Sequence, residues 1–125
     1  MTKYNEILKF TKIEKVMLNR KEAKKFIEDT SGKGWLVLVD IVYDNCPEEI
    51  IITEVFQKYS GLTVRFEGRN EKFEYLLSSL NTVSKKICEI CGQSGDYSII
   101  NGWETTLCES HHEESTATKK YRIGD

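Results

Sequence analysis

The chain has 125 residues, which is enough for one domain that buries a core without disulfides. Hydrophobic residues make up 39%, charged residues make up 30%, and the net charge of −2 favours neither nucleic acid nor a membrane surface as a partner. There is no apolar run of about eighteen residues or more and no secretory signal in "MTKYNEILKFTKIEKVML", so we expect a cytoplasmic protein without a membrane partner.

The first predicted elements lead into a basic helix. "YNEILKF" favours a short helix, and "TKIEKVML" alternates as a short strand does. Asn19 and Glu22 have the spacing of a capping box, which predicts a helix over 20–29 that ends at the glycines of "SGKG". Ala23, Phe26 and Ile27 would form its apolar face.

The next segment, "WLVLVDIVYDNC", is ambiguous from its own residues. Its β-branched content favours a strand, whereas its apolar residues also share one helical face. A β-hairpin is predicted after it over "EEIIITEVFQKYSGLTVRFEG", with Ser60 and Gly61 as the turn. "NEKFEYLLSSLNTVSKKI" then has helical periodicity, with Asn70 as its cap, and leads into Cys88.

Four residues near the end of the chain have metal-ligand spacing. Two residues separate Cys88 from Cys91, sixteen residues follow, and two more separate Cys108 from His111. Paired ligands two residues apart fit a tight turn, and the longer gap fits a small hairpin that brings the second pair back to the first. Three sulfurs and one imidazole favour a single zinc ion.

His112 is the alternative to His111 as the fourth ligand. The two histidines lie three and four residues after Cys108, so either can fall on the same helical face. We favour His111 because a ligand pair separated by two residues is common at a zinc turn. Four protein ligands close the coordination shell, which indicates structural zinc and, with no catalytic motif in the sequence, predicts that the protein is not an enzyme.

Three blocks carry a resemblance, namely "GKGWLVLVDIVYDN", "ITEVFQKYSGLTVRFEG" and "ICEICGQSGDYSIINGWETTLCESH". Together, over residues 34–112, they resemble a family of small bacterial and prophage proteins of unknown function. That family has a GW-led helix, a KEKFGxLRFY-like hairpin, a helix and a terminal CEVCGxPG…GWxxTLCxxH zinc module. The resemblance implies that "WLVLVDIVYDN" is helical and that His111 is the ligand, but it implies no activity. The hairpin lacks the family's lysine-rich form, and the first thirty residues have no counterpart.

We therefore expect an α+β fold in which helices pack on a small antiparallel sheet. Residues 1–87 would form the α+β domain, with 1–33 as an extension bearing the basic helix and 34–87 as a helix–hairpin–helix core. Residues 88–114 would form a zinc lobe of treble-clef or zinc-ribbon type, and 115–125 a flexible tail.

Two functions fit these features. The favoured one is a protein-interaction module, such as a phage-encoded or mobile-element-encoded inhibitor or regulator, that binds its protein partner through Tyr97 and Trp103. The alternative is nucleic-acid binding by the zinc lobe or by the basic helix, through Arg20, Lys21, Lys24 and Lys25. The sequence pI of about 5.8 is low for a nucleic-acid module, so the alternative is less favoured.

Overall fold

A computed structural model describes the backbone of residues 17–124 and the side chains of residues 17–116. The short helix and strand predicted over residues 4–18 lie almost wholly outside the described residues. The described elements are α1 (Arg20–Thr30), α2 (Leu36–Asp44), β1 (Ile51–Lys58), β2 (Gly61–Glu67), α3 (Glu71–Ser84), β3 (Asp96–Ile100), β4 (Trp103–Leu107) and α4 (Glu109–Gly124). Strands β1 and β2 form one antiparallel sheet and β3 and β4 a second, which confirms the predicted α+β class.

Helix α1 begins at the capping box that the sequence predicts. The Asn19 side chain accepts the Glu22 N–H at 2.8 Å, and the Glu22 carboxylate accepts the Asn19 N–H at 3.2 Å. Ala23 and Ile27 are buried as expected, but Phe26 is 49% exposed, so its predicted place on the buried face is wrong. The helix turns about 100° per residue, which moves Phe26 away from the face that Ile27 buries.

The ambiguous segment after α1 is a helix, α2, as the resemblance implied. Leu38, Val39 and Val42 are buried at helical spacing, while Val37 is 61% exposed. Trp35, immediately before the helix, is fully buried. The helix packs against α1 on one side and α3 on another, so one face of its apolar surface is covered.

The predicted hairpin is present, but its turn is one residue earlier than expected. Lys58 pairs with Gly61, so the two turn residues are Tyr59 and Ser60, with φ of 50° and 66°. Positive φ at both positions is the turn geometry that matches the twist of the flanking strands. Gly61 belongs to β2, where an added Cβ would stand 2.6 Å from the Asn81 amide nitrogen.

Helix α3 carries the chain from the sheet to the first cysteine. Asn70 caps it by accepting the Phe73 N–H at 2.9 Å, as predicted. Phe73 and Leu80 point into the core that α1, α2 and the β1–β2 sheet share. The buried members of this core are Ala23, Ile27, Trp35, Leu38, Val39, Val42, Ile50, Ile52, Val55, Leu62, Phe73 and Leu80.

The predicted zinc lobe, 88–114, is bonded to the α+β domain. The indole N–H of Trp35 donates to the Ile87 carbonyl at 2.9 Å, and the Thr106 hydroxyl donates to the Ser60 carbonyl at 2.8 Å. The helix after β4 continues to Gly124, so the backbone of the predicted tail is helical up to that residue. Within the part of the chain that the structure describes, no helix is both long and apolar enough to cross a bilayer.

Candidate metal centre

The first ligand pair lies on a tight turn that directly follows α3. The Gly92 N–H donates to the Cys88 carbonyl at 2.8 Å, which closes the turn around Cys91. Gly92 has φ of +86°, a left-handed conformation that a side chain would strain. The Cys88 N–H donates to the Gln93 carbonyl at 2.7 Å, so the residues after the turn run back beside it.

The second ligand pair is brought back to the first by the β3–β4 hairpin. Asn101 and Gly102 form its two-residue turn, with φ of 55° and 77°. Cys108 follows the last residue of β4, and its carbonyl accepts the His112 N–H at 2.9 Å in the first turn of α4. His111 is three residues after Cys108, one helical turn along, so both side chains lie on one side of the helix start.

The four side chains predicted as ligands form a cluster that could hold a metal ion. Their ligand atoms all lie within 4.8 Å of one another. The Cys91 and Cys108 sulfurs are 3.8 Å apart, and the His111 Nδ1 lies 3.2 Å from the Cys108 sulfur and 3.6 Å from the Cys88 sulfur. A tetrahedron with zinc–sulfur bonds of about 2.3 Å has sulfur–sulfur edges of about 3.8 Å, so the spacing of these atoms fits zinc.

The remaining histidine and cysteine of the described residues lie outside the cluster. His112 is exposed, although it is the neighbour of His111. The Cys46 thiol lies 3.6 Å from the Pro47 carbonyl and 3.8 Å from the Ile50 carbonyl, and burial raises its pKa. A partly buried thiol with a raised pKa is a poor nucleophile, which agrees with a packing role for Cys46.

The surroundings of Cys88 and Cys91 shift the pKa of the two thiols in opposite directions. Burial acts to raise the pKa of Cys88, but the backbone N–H groups of Cys108, Cys91 and Ile90 and the His111 side chain outweigh it and lower that pKa to about 7. The Gln93 N–H also favours a thiolate at Cys91, yet desolvation and the neighbouring sulfurs raise the net pKa there. A cation among the three sulfurs would remove this mutual repulsion.

The cluster is buried on one side and open on the other. Cys88 is fully buried and Cys108 is 8% exposed, whereas Cys91 is exposed at the surface. The His111 Nε2, which would point away from a metal held by Nδ1, lies 3.6 Å from the Glu114 carboxylate. A carboxylate on the far nitrogen favours the tautomer in which the near nitrogen is free to bind metal.

Glu89 is a buried acid beside Cys88 that no motif in the sequence indicates. Its carboxylate accepts hydrogen bonds from Gln57 at 3.2 Å, the Thr105 hydroxyl at 2.7 Å and the Thr106 N–H at 3.0 Å. These contacts tie the cysteine turn to β1 and β4. Glu89 lies between Cys88 and Cys91, where an exposed loop acid is expected, and no local sequence pattern indicates the distant donors that bury it.

The two predicted partner-binding aromatics are exposed, Tyr97 by 52% and Trp103 by 63%. Trp103 pairs with Ile100 next to the hairpin turn, five residues before Cys108. At about 3.3 Å per strand residue, its Cα is roughly 16 Å along the strand from that of Cys108. Tyr97 donates a hydrogen bond of 2.7 Å from its hydroxyl to Glu104.

The basic residues proposed for nucleic acid lie beside acids of the same chain. Lys21 is exposed, whereas the other three form ion pairs within the protein. Pairing of these charges reduces the positive potential available to a phosphate backbone. The pairs are Arg20 with Asp40 and Asp44, Lys24 with Asp40, and Lys25 with Asp29.

Comparison of the chain with protein-family models, curated proteins and solved structures finds no match. The resemblance to small bacterial and prophage proteins therefore stays a prediction.

Proposed function

We propose that the protein binds one structural zinc ion through Cys88, Cys91, Cys108 and His111, in a lobe of treble-clef type. The observation that carries the proposal is the mutual approach of the four ligand atoms within 4.8 Å. Three thiolates and one imidazole are a donor set typical of structural zinc. The order of a cysteine turn, a hairpin and a helix starting at the second ligand pair supports the lobe type.

The zinc would be structural because four protein ligands leave no position for a reacting water. Zinc would hold together three parts of the chain, namely the turn after α3, the end of β4 and the start of α4. Structural zinc contributes on the order of 10 to 16 kcal/mol in zinc-finger peptides, so the folding of these elements would depend on the ion.

We further propose that the protein is a non-enzymatic interaction module whose binding surface is the β3–β4 hairpin. Tyr97, Ile99 and Trp103, exposed by 52%, 59% and 63%, lie on a hairpin of twelve residues, with Tyr97 and Ile99 on one face and Trp103 on the other. Large exposed side chains concentrated on one short element are typical of a protein-binding surface. An inhibitor or regulator of another protein, as suggested by the sequence, would use the same surface.

Native mass spectrometry of protein purified without added metal tests the zinc site. We expect one zinc per chain in the wild type, in His112→Ala and in Cys46→Ser, which leave the cluster intact. We expect its loss in Cys108→Ser and His111→Ala, because each leaves an incomplete shell. A wild-type chain without zinc, or zinc retained in His111→Ala and lost in His112→Ala, would contradict the proposed site.

Affinity capture with a matched pair of variants tests the interaction role. Trp103→Ala removes an exposed aromatic from the hairpin, and Tyr75→Ala removes one that is 77% exposed on α3. We expect a bacterial protein captured by the wild type to be lost with Trp103→Ala and kept with Tyr75→Ala. Capture that is equal for both variants would place the binding surface elsewhere and reject the hairpin.

A further inference from the structure

The register of the β3–β4 hairpin determines which backbone groups face outward. In a hairpin with a two-residue turn, the residues that flank the turn exchange both backbone hydrogen bonds. Ile100 and Trp103 are that pair, so hydrogen-bonded and non-hydrogen-bonded pairs alternate from there. Tyr97 and Ile99 fall in the non-hydrogen-bonded pairs, and their N–H and C=O groups therefore point to the outer edge of β3.

The contacts of β4 agree with this register. Its residues in the non-hydrogen-bonded pairs are Glu104 and Thr106, whose backbone groups should face the outer edge of β4. The Glu104 carbonyl accepts the Gln57 side chain at 2.7 Å. The Thr106 carbonyl accepts the Glu89 N–H at 3.0 Å, and the Thr106 N–H donates to the Glu89 carboxylate at 3.0 Å. The edge formed by β4 is thus covered by the protein itself.

No hydrogen bonds of this kind from the described residues cover the outer edge of β3, although α4 also contacts this strand. Among the described residues, none bonds to the outward N–H and C=O groups of Tyr97 and Ile99, and β3 has β4 as its sole strand neighbour. Natural edge strands are often protected by lysine, proline or a bulge, and "DYSII" has none of these, its one charged residue being Asp96 at the start of the strand. The Tyr97 and Ile99 side chains, on one face of the strand, are both more than half exposed.

Charge indicates what kind of chain this edge would accept. Residues 88–116 contain six acidic residues and no lysine or arginine. Two copies of the lobe brought edge to edge would therefore repel each other, whereas a basic segment would be attracted. The acids are Glu89, Asp96, Glu104, Glu109, Glu113 and Glu114, and all except the buried Glu89 have at least part of the side chain at the surface.

We propose that the outer edge of β3 binds an extended, lysine- or arginine-bearing segment of another protein, which adds to the β3–β4 sheet as a third strand. The inference rests on the proposed interaction role and names the partner's chemistry. Main-chain hydrogen bonds to Tyr97 and Ile99 would supply affinity and fix the register. Alternate partner side chains would face Tyr97 and Ile99, and its basic side chains, on the opposite face of the sheet, would approach Asp96.

Selection from a random twelve-residue peptide display library on the zinc-loaded protein tests this binding mode. We expect enriched peptides to place lysine or arginine in alternation with apolar residues. Ile99→Pro should lower the affinity for a synthetic copy of such a peptide at least tenfold. Proline removes an outward N–H of β3, whereas the backbone hydrogen bonds to β4 remain. No enrichment, enrichment of peptides without basic residues, or unchanged binding to Ile99→Pro would overturn the proposal.

A matched pair of charge variants distinguishes the effect of a charge at the β3 edge on peptide binding from the effect of the protein's net charge. Asp96→Lys puts a lysine on the β3 edge, and Glu28→Lys makes the same change of charge at an exposed site on α1. We expect binding of the selected peptide to fall at least tenfold with Asp96→Lys and less than twofold with Glu28→Lys. Equal effects would mean a non-specific attraction and would contradict the edge site.

Amide hydrogen exchange of the wild type does not depend on any variant folding. The Tyr97 and Ile99 amides should exchange at least tenfold more slowly when the selected peptide is bound, and unchanged exchange would reject strand addition. Protection without peptide, together with a dimer in sedimentation, would mean that a second copy occupies the edge and would overturn the proposal. If a captured protein lost its binding with Trp103→Ala but kept it with Ile99→Pro, this inference would be overturned while the interaction role would stand.

Discussion

Gly34 lies against the backbone of Cys88, so close that a Cβ on Gly34 would overlap the Cys88 carbonyl oxygen. The same Cβ would stand 2.6 Å from the Gly92 nitrogen, and the Gly34 N–H donates to the Glu89 carbonyl at 2.8 Å. The loop between α1 and α2 therefore forms one wall of the cysteine turn. This contact joins the α+β domain to the candidate metal centre through backbone atoms alone.

Gly34→Ala should displace the cysteine turn and weaken both folding and metal binding. The added methyl meets backbone atoms, so the overlap cannot be relieved by rotating a side chain. We therefore expect a loss of about 1 to 3 kcal/mol or more in the free energy of unfolding. Urea denaturation and the zinc content in native mass spectrometry measure the two effects. Gly102→Asn is the control, since nothing lies within 4 Å of a Cβ there and asparagine tolerates its φ of +77°. Equal stability of Gly34→Ala and wild type would contradict the contact.

Glu89→Ala should destabilise the protein although Glu89 is not a ligand. The change leaves the buried Thr106 N–H and Thr105 hydroxyl without their acceptor, which costs about 1 to 3 kcal/mol for each group left unsatisfied. Thermal unfolding followed by circular dichroism measures the loss. Glu109→Ala removes an exposed acid from the same lobe and should leave the unfolding temperature nearly unchanged. If the two variants behaved alike, the Glu89 network would have no part in stability.

Removal of the metal by a chelator should change the fluorescence of Trp35 in the α+β domain. The Trp35 indole donates to the Ile87 carbonyl at 2.9 Å, one residue before Cys88, and the side chain is fully buried. In Trp103→Phe, where Trp35 is the remaining tryptophan, we expect its emission to shift to longer wavelength and the unfolding temperature to fall. Readdition of zinc should restore both. If the Trp35 emission stayed unchanged while the chelator removed zinc, the zinc lobe would unfold independently of the α+β domain.

Tyr43 should make the stability depend on pH in the alkaline range. Burial, followed by the nearby Cys46 and Glu22, raises the pKa of Tyr43 from 10.0 to about 12. The neutral phenol is favoured in the folded protein, so its contribution is fully present below pH 10 and is lost as the pH rises through 12. Its hydroxyl also donates to the Leu18 carbonyl at 2.6 Å.

The matching variant is Tyr43→Phe. Near pH 8 it should be about 1 kcal/mol less stable than the wild type, because the hydrogen bond to the Leu18 carbonyl is lost. Between pH 10 and pH 12 this difference should shrink, since the wild type alone must keep a phenol protonated. Urea denaturation of both proteins at several pH values measures it, and a difference that grows with pH would contradict the expected sign.

Local signals in the sequence predicted the cluster of candidate metal ligands and the starts of α1 and α3. Ligand spacing around Cys88 and Cys108 depends on short turns, and the caps at Asn19 and Asn70 depend on residues three positions away, so neighbours in the chain carry the information. The same spacing could not choose between His111 and His112 from the residues alone. The choice needed the helix start to be oriented towards the first cysteine pair, as the structure orients it.

Tertiary structure decided those features that depend on contacts between residues distant in sequence, such as burial and charge pairing. "WLVLVDIVYDN" is helical because packing between α1 and α3 covers its apolar face. Glu89 is buried because Gln57 and Thr105 supply donors from elsewhere in the chain. Arg20 and Lys24 of α1 form ion pairs because α2 brings acids beside them, and the outer edge of β4 is covered because Gln57 and Glu89 bond to it. Local sequence determines how a segment can turn and which atoms could bind a metal, whereas burial and charge pairing arise only when distant segments meet.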